Sequence, residues 1–246
     1  MRSRHSFYDP ILACATLALC ASCASTPAVE SVYRPTENAL EVIAVLRVHI
    51  DDDTYRFEAA RDFTGRNVYR SSLLRLENLE ELHSNALRAS HMDGAIAFAK
   101  ARSLERLRAF DLAADHYRLA ADISQDLRLE ALRSADVCDV LHEAAQMTRE
   151  LEPQGETDIN SEPASVARLV ELDPDAVLAE FDARVALLDG LAVITEGTQH
   201  RPVVQEEIER ADVARGNYFV GIRKTDVNGD VRAISELQRV SGRHPT

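Results

Sequence analysis

Residues 94–127 read GAIAFAKARSLERLRAFDLAADHYRLAADISQDL, and this stretch decides the fold class. Small side chains recur at helical spacing on both sides of a central turn, at Ala101, Ala113 and Ala120. The aromatic side chain of Phe110 falls at the turn itself. Alanine lets two helices approach closely, while a bulky aromatic residue fills the groove toward a neighbouring helix pair. The stretch therefore predicts a hairpin of two α-helices.

Apolar residues repeat at helical intervals along most of the remaining chain as well. The predicted helices cover residues 37–49, 67–83, 94–109, 112–123, 127–150, 164–172, 174–188, 202–224 and 229–240. Asp93 and Asp111 are the predicted N-caps of the hairpin helices. A strand is the competing interpretation for residues 42–50, which are rich in β-branched side chains, and for residues 191–195. The sequence predicts an all-α protein whose short connections make neighbouring helices antiparallel.

Residues 94–127 resemble one tetratricopeptide repeat, a helix-turn-helix unit of about 34 residues. The matching positions are Ala101, Leu104, Leu107, Phe110, Ala113, Tyr117 and Ala120. Lys100 stands where that family places an apolar residue, and Gln125 replaces its closing proline. The resemblance implies a stack of such hairpins, and the competing interpretation is an irregular helical bundle.

Residues 214–246 resemble the same repeat more weakly. The matching positions are Gly221, Ala233, Leu237, Val240 and Pro245, while Lys224 replaces the usual aromatic residue. Ala113 and Ala233 lie 120 residues apart, which is not a whole multiple of about 34. The resemblance therefore implies antiparallel helical hairpins stacked as an irregular tetratricopeptide-like solenoid. Ile234, Leu237 and Val240 would then form an apolar end face that a partner covers, unless the chain is shorter than its relatives.

The first helices of tetratricopeptide hairpins line a concave groove that binds extended peptides. Carried over to this chain, the candidate protein-binding groove is lined by Phe98, Arg102, Arg106, Arg215 and Tyr218. Paired arginines suit a carboxylate or an acidic segment of a partner. The competing interpretation is that Arg102, Glu105 and Arg106 are ordinary helix-face charges that pair locally.

The N-terminus carries the pattern of a secretory signal. Arg2 and Arg4 form a basic head, and residues 11–21 are apolar but too short to span a membrane. Ala21-Ser22-Cys23 resembles the lipobox of bacterial lipoproteins, although Cys20 stands where that family usually has leucine. The resemblance implies lipidation at Cys23 and attachment to the outer membrane, facing the periplasm. Cleavage near Ala24, which would release a soluble protein, is the alternative.

The sequence divides into five predicted parts. They are a signal peptide (1–22), a tether (23–35), a helical domain with the repeat-like hairpin (36–151), a linker (152–163) and a helical C-terminal part (164–246). Hydrophobic residues make up 46% of the chain, so a folded core is expected. The formal net charge of −13 repels phosphate backbones and argues against nucleic acid as a partner.

Three of the four cysteines lie in the predicted signal region, which leaves Cys138 alone in the body of the chain. A single cysteine forms no internal disulfide. It falls on a helical stripe of small and apolar residues formed by Ala131, Ala135, Cys138, Leu141 and Ala145. The stripe predicts a buried cysteine that packs as a small hydrophobic residue.

No catalytic, metal or cofactor motif is complete in this sequence. His142-Glu143 begins a zinc-protease motif, but Gln146 occupies the position of the second histidine. Asp226, Asn228 and Asp230 imitate the start of a calcium loop, but Val231 and Leu237 replace the required glycine and glutamate. We therefore predict no catalytic residue, no metal ligand and no cofactor, and we interpret Asn228-Gly229 as a turn that leads into a helix.

Three functions remain open from the sequence. The first is a non-catalytic, lipid-anchored envelope scaffold that binds another envelope protein or peptide through a helical-repeat surface. The second is a soluble secreted module that binds a peptide or a cell-wall fragment. The third is an enzyme whose unrecognised site lies in residues 51–70, where Asp, Arg and Tyr concentrate without helical periodicity.

Overall fold

The computed structural model describes residues 34–51, 67–147, 173–222 and 228–243, and every regular element in these ranges is an α-helix. The helices are α1 (Pro35–Asp51), α2 (Val68–Ala89), α3 (Asp93–Arg106), α4 (Phe110–Ile123), α5 (Arg128–Met147), α6 (Pro174–Ile194), α7 (Arg201–Ile222) and α8 (Gly229–Arg243). The all-α prediction is confirmed. The lipidation site predicted at Cys23 and the linker predicted at 152–163 lie outside the described residues.

Each helix packs against the next one along the chain, from α1 on α2 to α7 on α8. α1 also contacts α3, and α5 also contacts α7. The main hydrophobic core contains buried side chains from α3, α4, α5, α6 and α7. The helices before and after residues 152–163 therefore share one core. Two smaller clusters lie at the ends of the helix order, one joining α1, α2 and α3 and the other joining α6, α7 and α8.

The stretch that decides the fold forms the α3–α4 hairpin, with residues 107–109 as its connection. Ala101, Ala113 and Ala120 are completely buried, as their small size predicted. Gly94 makes the closest approach, because a Cβ atom added there would lie 2.6 Å from the Cβ atom of Ser124. Ser124 follows the last residue of α4, so the start of one helix presses on the end of the other.

Gly94→Ala is expected to destabilise the fold although alanine is the better helix former. The added methyl group would overlap Ser124, and such overpacking costs about 1–3 kcal/mol. Gly190→Ala in α6 is the matched control, since nothing lies within 4 Å of its added Cβ atom. Without overlap, the gain in helix propensity should stabilise that variant by up to about 1 kcal/mol. Urea unfolding measures both, and a Gly94→Ala variant as stable as the parent would contradict the close approach.

The two segments for which a strand was the competing interpretation are helical in the structure. Residues 35–51 form α1, which buries Ala39, Val42 and Leu46 against α2 and α3. The strand interpretation of residues 191–195 is also wrong, because α6 continues to Ile194. In both cases a helix buries apolar residues at three- and four-residue intervals, which outweighs the β-branched composition.

Several predicted helix ends are wrong by a few residues. α3 ends at Arg106 rather than at residue 109, since Arg108 adopts a left-handed backbone with φ of +61°. α4 begins at Phe110, so Asp111 lies in its first turn instead of capping it. His83 has non-helical backbone angles inside α2, so this helix is kinked directly after Leu82. Leu82 is 73% exposed.

The buried positions of α5 match the predicted stripe closely. Cys138 is completely buried, as is Leu141, and neither Ala131 nor Ala135 exposes more than 1% of its surface. Burial, together with the nearby charge of Glu105, raises the pKa of the Cys138 thiol above its ordinary value. The thiol therefore stays protonated and acts as a packing residue. None of the described helices combines the length and the apolar composition that crossing a membrane requires.

Candidate functional site

A cluster of five polar side chains lies inside the protein, and we call it the polar cluster. Its members are Arg102 and Glu105 of α3, Tyr117 of α4, Ser134 of α5 and His200 in the connection before α7. The Glu105 carboxylate is its centre. Its Oε2 atom accepts a hydrogen bond from Tyr117 Oη at 2.6 Å and faces Arg102 Nη1 at 3.3 Å, and its Oε1 atom lies 2.9 Å from His200 Nδ1.

Charge balance keeps Glu105 ionised inside the protein. Burial alone would raise the pKa of its carboxyl group, but the charges of Arg102 and His200 outweigh burial. Hydrogen bonds from His200 and Tyr117 add to this effect, and the pKa falls to about 2. The same carboxylate, together with burial, raises the pKa of the Tyr117 hydroxyl well above its ordinary value. Tyr117 is thus held as a neutral donor to an ionised acceptor.

His200 ties the connection between α6 and α7 to the α3–α4 hairpin and α5. Its Nε2 atom lies 3.0 Å from Ser134 Oγ, and Ser134 donates its single proton to the backbone carbonyl of Glu130 at 2.9 Å. Ser134 therefore accepts from Nε2, while Nδ1 donates to the carboxylate of Glu105. His200 therefore links Glu105 of α3 to Ser134 of α5 through its two ring nitrogens.

Ser134, His200 and Glu105 follow the order of nucleophile, base and acid found in hydrolytic triads. A triad must also reach a substrate, and these side chains do not reach the surface. Ser134 and Glu105 are fully buried and His200 is 5% exposed. Ser134 also lies within α5, where backbone N–H groups bond inside the helix rather than forming an oxyanion hole. The arrangement joins helices and is closed to substrates.

Stability should fall with acid because Glu105 has a lowered pKa in the folded protein. Above its ordinary pKa of 4.5, the ionised carboxylate makes its full contribution to the free energy of unfolding. This contribution is lost as the pH falls toward about 2. The difference corresponds to about 3 kcal/mol of unfolding free energy. Urea unfolding of the parent and of Glu105→Gln at a series of pH values isolates this group. The stability gap between the two should narrow below pH 4.5, and a constant gap would contradict the lowered pKa.

A second polar group opens to the surface as a crevice of about 200 Å³. It lies between the α3–α4 connection, the start of α2 and α7, and we call it the arginine crevice. Its lining residues are Asn67, Tyr69, Arg106, Leu107, Arg108, Glu206 and Arg210. Three of the lining side chains are arginines and one is a glutamate, and Glu207 behind the crevice supplies a second carboxylate. This local excess of positive charge lies on a chain whose net charge is −13.

The arginines of the crevice are held in place by their neighbours. The Arg106 guanidinium lies 5.6 Å from the centroid of the Tyr69 ring, within the range of a cation–π contact. Arg210 Nη2 donates to Glu206 Oε1 at 2.8 Å. Arg108, whose left-handed backbone costs about 1–2 kcal/mol, binds the Glu207 carboxylate with two guanidinium nitrogens. A ligand that enters the crevice would therefore meet guanidinium groups whose positions are already fixed by these contacts.

Glu207 also binds an arginine behind the crevice, deep in the core. Arg184 Nη2 lies 3.4 Å from Glu207 Oε2, and Arg184 is completely buried. Glu207 itself is 2% exposed, whereas the Arg108 side chain is 31% exposed. One buried carboxylate therefore joins a surface arginine to an interior arginine.

The structure separates the five residues of the predicted groove. Arg106 lines the arginine crevice, and Phe98 is half-buried with its ring 5.1 Å from that of Tyr117. The other three are buried, with Arg102 5%, Arg215 6% and Tyr218 2% exposed. They do not share one open surface in this structure, which corrects that prediction for these three. His200 covers the Arg102–Glu105 pair, and Arg215 is enclosed by Asp182 of α6 and Glu236 of α8.

The site residues predicted from the sequence did not include Ser134, His200, Arg108, Arg184 or Glu207. The sequence did contain a signal for Arg184 and Glu207, because each is a charged residue at a core position of its helix. Arg184 lies in the buried stripe of α6 and Glu207 in that of α7. Opposite charges in the apolar stripes of successive helices indicate a buried ion pair. In the part of the chain that the structure describes, no three His, Cys, Asp or Glu side chains are grouped to hold a metal ion.

Comparison with known proteins adds no identification. No family model, no curated protein and no solved structure matches this chain.

Proposed function

We propose that this protein is a non-catalytic scaffold that binds another envelope protein or peptide, and that a lipid at Cys23 anchors it to the outer membrane. The observation that carries the proposal is the arginine crevice. It is a formed crevice that opens to the surface, and arginines outnumber carboxylates among its lining residues although the chain is acidic. The closed polar cluster offers no comparable access.

A carboxylate group of the partner is the ligand that best fits the crevice. Guanidinium groups bind carboxylates through paired hydrogen bonds. Arg106 lines the crevice from the end of α3, and Arg108 lines it from the α3–α4 connection. The net negative charge of the chain would repel an acidic segment that binds elsewhere. Binding would therefore be local and oriented, which suits an adaptor.

The repeat resemblance also supports a protein-binding role. In residues 94–127, six of the seven repeat-like positions are buried as a packed helical hairpin requires, and Leu107 is partly buried. Helical hairpins that pack in succession provide long surfaces for protein partners. The same hairpin supplies one side of the arginine crevice, and Glu206 and Arg210 of α7 line the other side.

Photo-crosslinking tests the proposal with a photoreactive amino acid at Leu107, which lines the crevice. In membranes of cells making the full chain, we expect one dominant protein adduct, suppressed by an added acidic peptide. Arg106→Glu should abolish the adduct, whereas Arg133→Glu on the exposed side of α5 should not. An adduct that survives Arg106→Glu would contradict binding in the crevice.

Metabolic lipid labelling tests the anchor separately. The full chain should incorporate the lipid label, and Cys23→Ser should not. Labelling that persists in Cys23→Ser would contradict lipidation at Cys23.

A further inference from the structure

Aspartates recur every seven residues along α6, at Asp175, Asp182 and Asp189. Seven residues make almost two full turns, so the three carboxylates lie on one side of the helix. Each of them pairs with an arginine of a later helix. α7 adds Asp212, which is completely buried. We call these four carboxylates the acidic track, and it faces the last helix of the structure.

Arginines at the two ends of α8 pair with the two ends of the acidic track. Near the start of α8, Arg232 Nη1 lies 2.9 Å from Asp175 Oδ1. At the end of α8, Arg243 pairs with Asp189. Both helices therefore run in the same direction, and α8 lies along the track.

The central ion pairs of α8 reach α7 and are more deeply buried. Arg239 Nη1 lies 2.8 Å from Asp212 Oδ1. Glu236 Oε1 accepts from Arg215 Nη2 at 3.0 Å, and these two side chains are 12% and 8% exposed. Charges of both signs on α8 thus meet opposite charges on α7.

Apolar packing adds little to the attachment of α8. Only Gly229 and Ala233 of this helix are buried, and Ala233 is its contribution to the apolar cluster with α6 and α7. Val231, Ile234 and Leu237 are 70%, 57% and 52% exposed. A single alanine side chain removes little apolar surface from water. Ion pairs therefore make most of the contact between α8 and the rest of the protein.

Helix α1, at the other end of the helix order, is attached by apolar side chains instead. Ala39, Val42 and Leu46 are at most 2% exposed, and they pack in one cluster with α2 and α3. Dissolved salt screens ion pairs but does not weaken apolar contacts. The two end helices should therefore respond differently to salt.

We propose that α8 is a strap over the acidic track, and that it opens as a unit when salt screens its ion pairs while the other described helices stay folded. The Debye length falls from about 10 Å at about 0.1 M salt to about 3 Å at about 1 M. A free helix of 15 residues is marginal in water, so an open strap would also lose its helical hydrogen bonds.

Opening of the strap would change the surface of α7. Asp212 and Arg215 are 0% and 6% exposed in the closed structure, and both face α8. Ionic strength would thus control whether these charges are accessible. This inference is independent of the proposed function, since α8 lines no part of the arginine crevice.

Hydrogen exchange of the full chain, measured on peptides by mass spectrometry, tests the strap. Between about 0.1 M and about 1 M sodium chloride, the amides of α8 should exchange about tenfold faster, while those of α5 keep their protection. Helix α1 is the internal control and should exchange no faster in salt. Equal acceleration of α1 and α8, or none in α8, would overturn the proposal. Fast exchange of α8 already at about 0.1 M salt would overturn it too, because the strap would then not be closed.

Arg239→Gln tests whether charge holds the strap. The substitution removes the cation that faces Asp212, so α8 should exchange at low salt about as fast as in the parent at high salt. Leu237→Gln is the matched control, because this position of the same helix is 52% exposed and glutamine forms helices about as well as leucine. Its exchange should match that of the parent. Full protection of α8 in Arg239→Gln would overturn the proposal, as would a loss of protection that extends to α3, α4 and α5.

Discussion

Glu105→Gln should lower the unfolding free energy by about 3–5 kcal/mol at neutral pH. The substitution keeps the volume of the side chain, so no cavity forms, but it removes the negative charge that faces Arg102 and His200. Arg102 is 5% exposed and has little access to water in the folded protein. An uncompensated buried charge is the costly outcome when one partner of an ion pair is removed. The total unfolding free energy of a typical domain is about 5–15 kcal/mol, so this loss would be a large part of it.

The matched control for this prediction is Glu196→Gln. Glu196 pairs with Arg201 at 3.4 Å, but its side chain is 74% exposed, so the substitution should change stability by less than about 1 kcal/mol. Urea unfolding at pH 7 measures both variants. If Glu105→Gln were as mild as Glu196→Gln, water would have to reach Arg102, and the polar cluster would not be closed.

The polar cluster could not have been predicted from spacing along the chain. Periodicity identifies the buried side of α5, including Cys138, because that pattern repeats within one helix. Glu105 and His200 are 95 residues apart, and Ser134 and His200 are 66 residues apart. Their contacts depend on how three helices and a connection pack, and local periodicity contains no such information.

Arg102 and Arg215, two of the predicted groove residues, are buried for a related reason. The repeat resemblance assigns Arg102 and Arg215 to the exposed side of a first helix, since that side lines the groove in the family. In this chain, the connection before α7 brings His200 onto the Arg102–Glu105 pair, and α8 brings Glu236 onto Arg215. Buried charges require partners, and in these two places the chain provides them.

Helix α8 illustrates the limit of an amphipathic pattern. The sequence predicts a helix there and places Ile234 and Leu237 on one side, and both are more than half exposed. Hydrophobicity alone would place that side inward. Aspartates on α6 and α7 reverse the orientation by pairing with Arg232 and Arg239. The direction of an amphipathic helix therefore depends on the charges of the surface that receives it.

Glu207→Gln is the second substitution with a large expected effect, a loss of about 3–5 kcal/mol. The loss should come mainly from one of the three arginines that pair with Glu207, which are Arg108, Arg184 and Arg210. The Arg108 side chain is 31% exposed and can turn toward water, whereas Arg184 is completely buried. Urea unfolding measures the loss, and a change below about 1 kcal/mol would contradict a buried ion pair at this position.

A second substitution at Arg184 identifies the source of that loss. Arg184→Met removes the buried cation and keeps a long apolar side chain, so Arg184→Met combined with Glu207→Gln should recover most of the stability. Arg108→Met combined with Glu207→Gln is the comparison, and it should recover little. If the double variant with Arg108→Met recovered more unfolding free energy than the one with Arg184→Met, Glu207 would act mainly at the surface. Recovery by the Arg184 pair would mean that Glu207 serves chiefly to neutralise the core, and that its contact with Arg108 orients the crevice at little energetic gain.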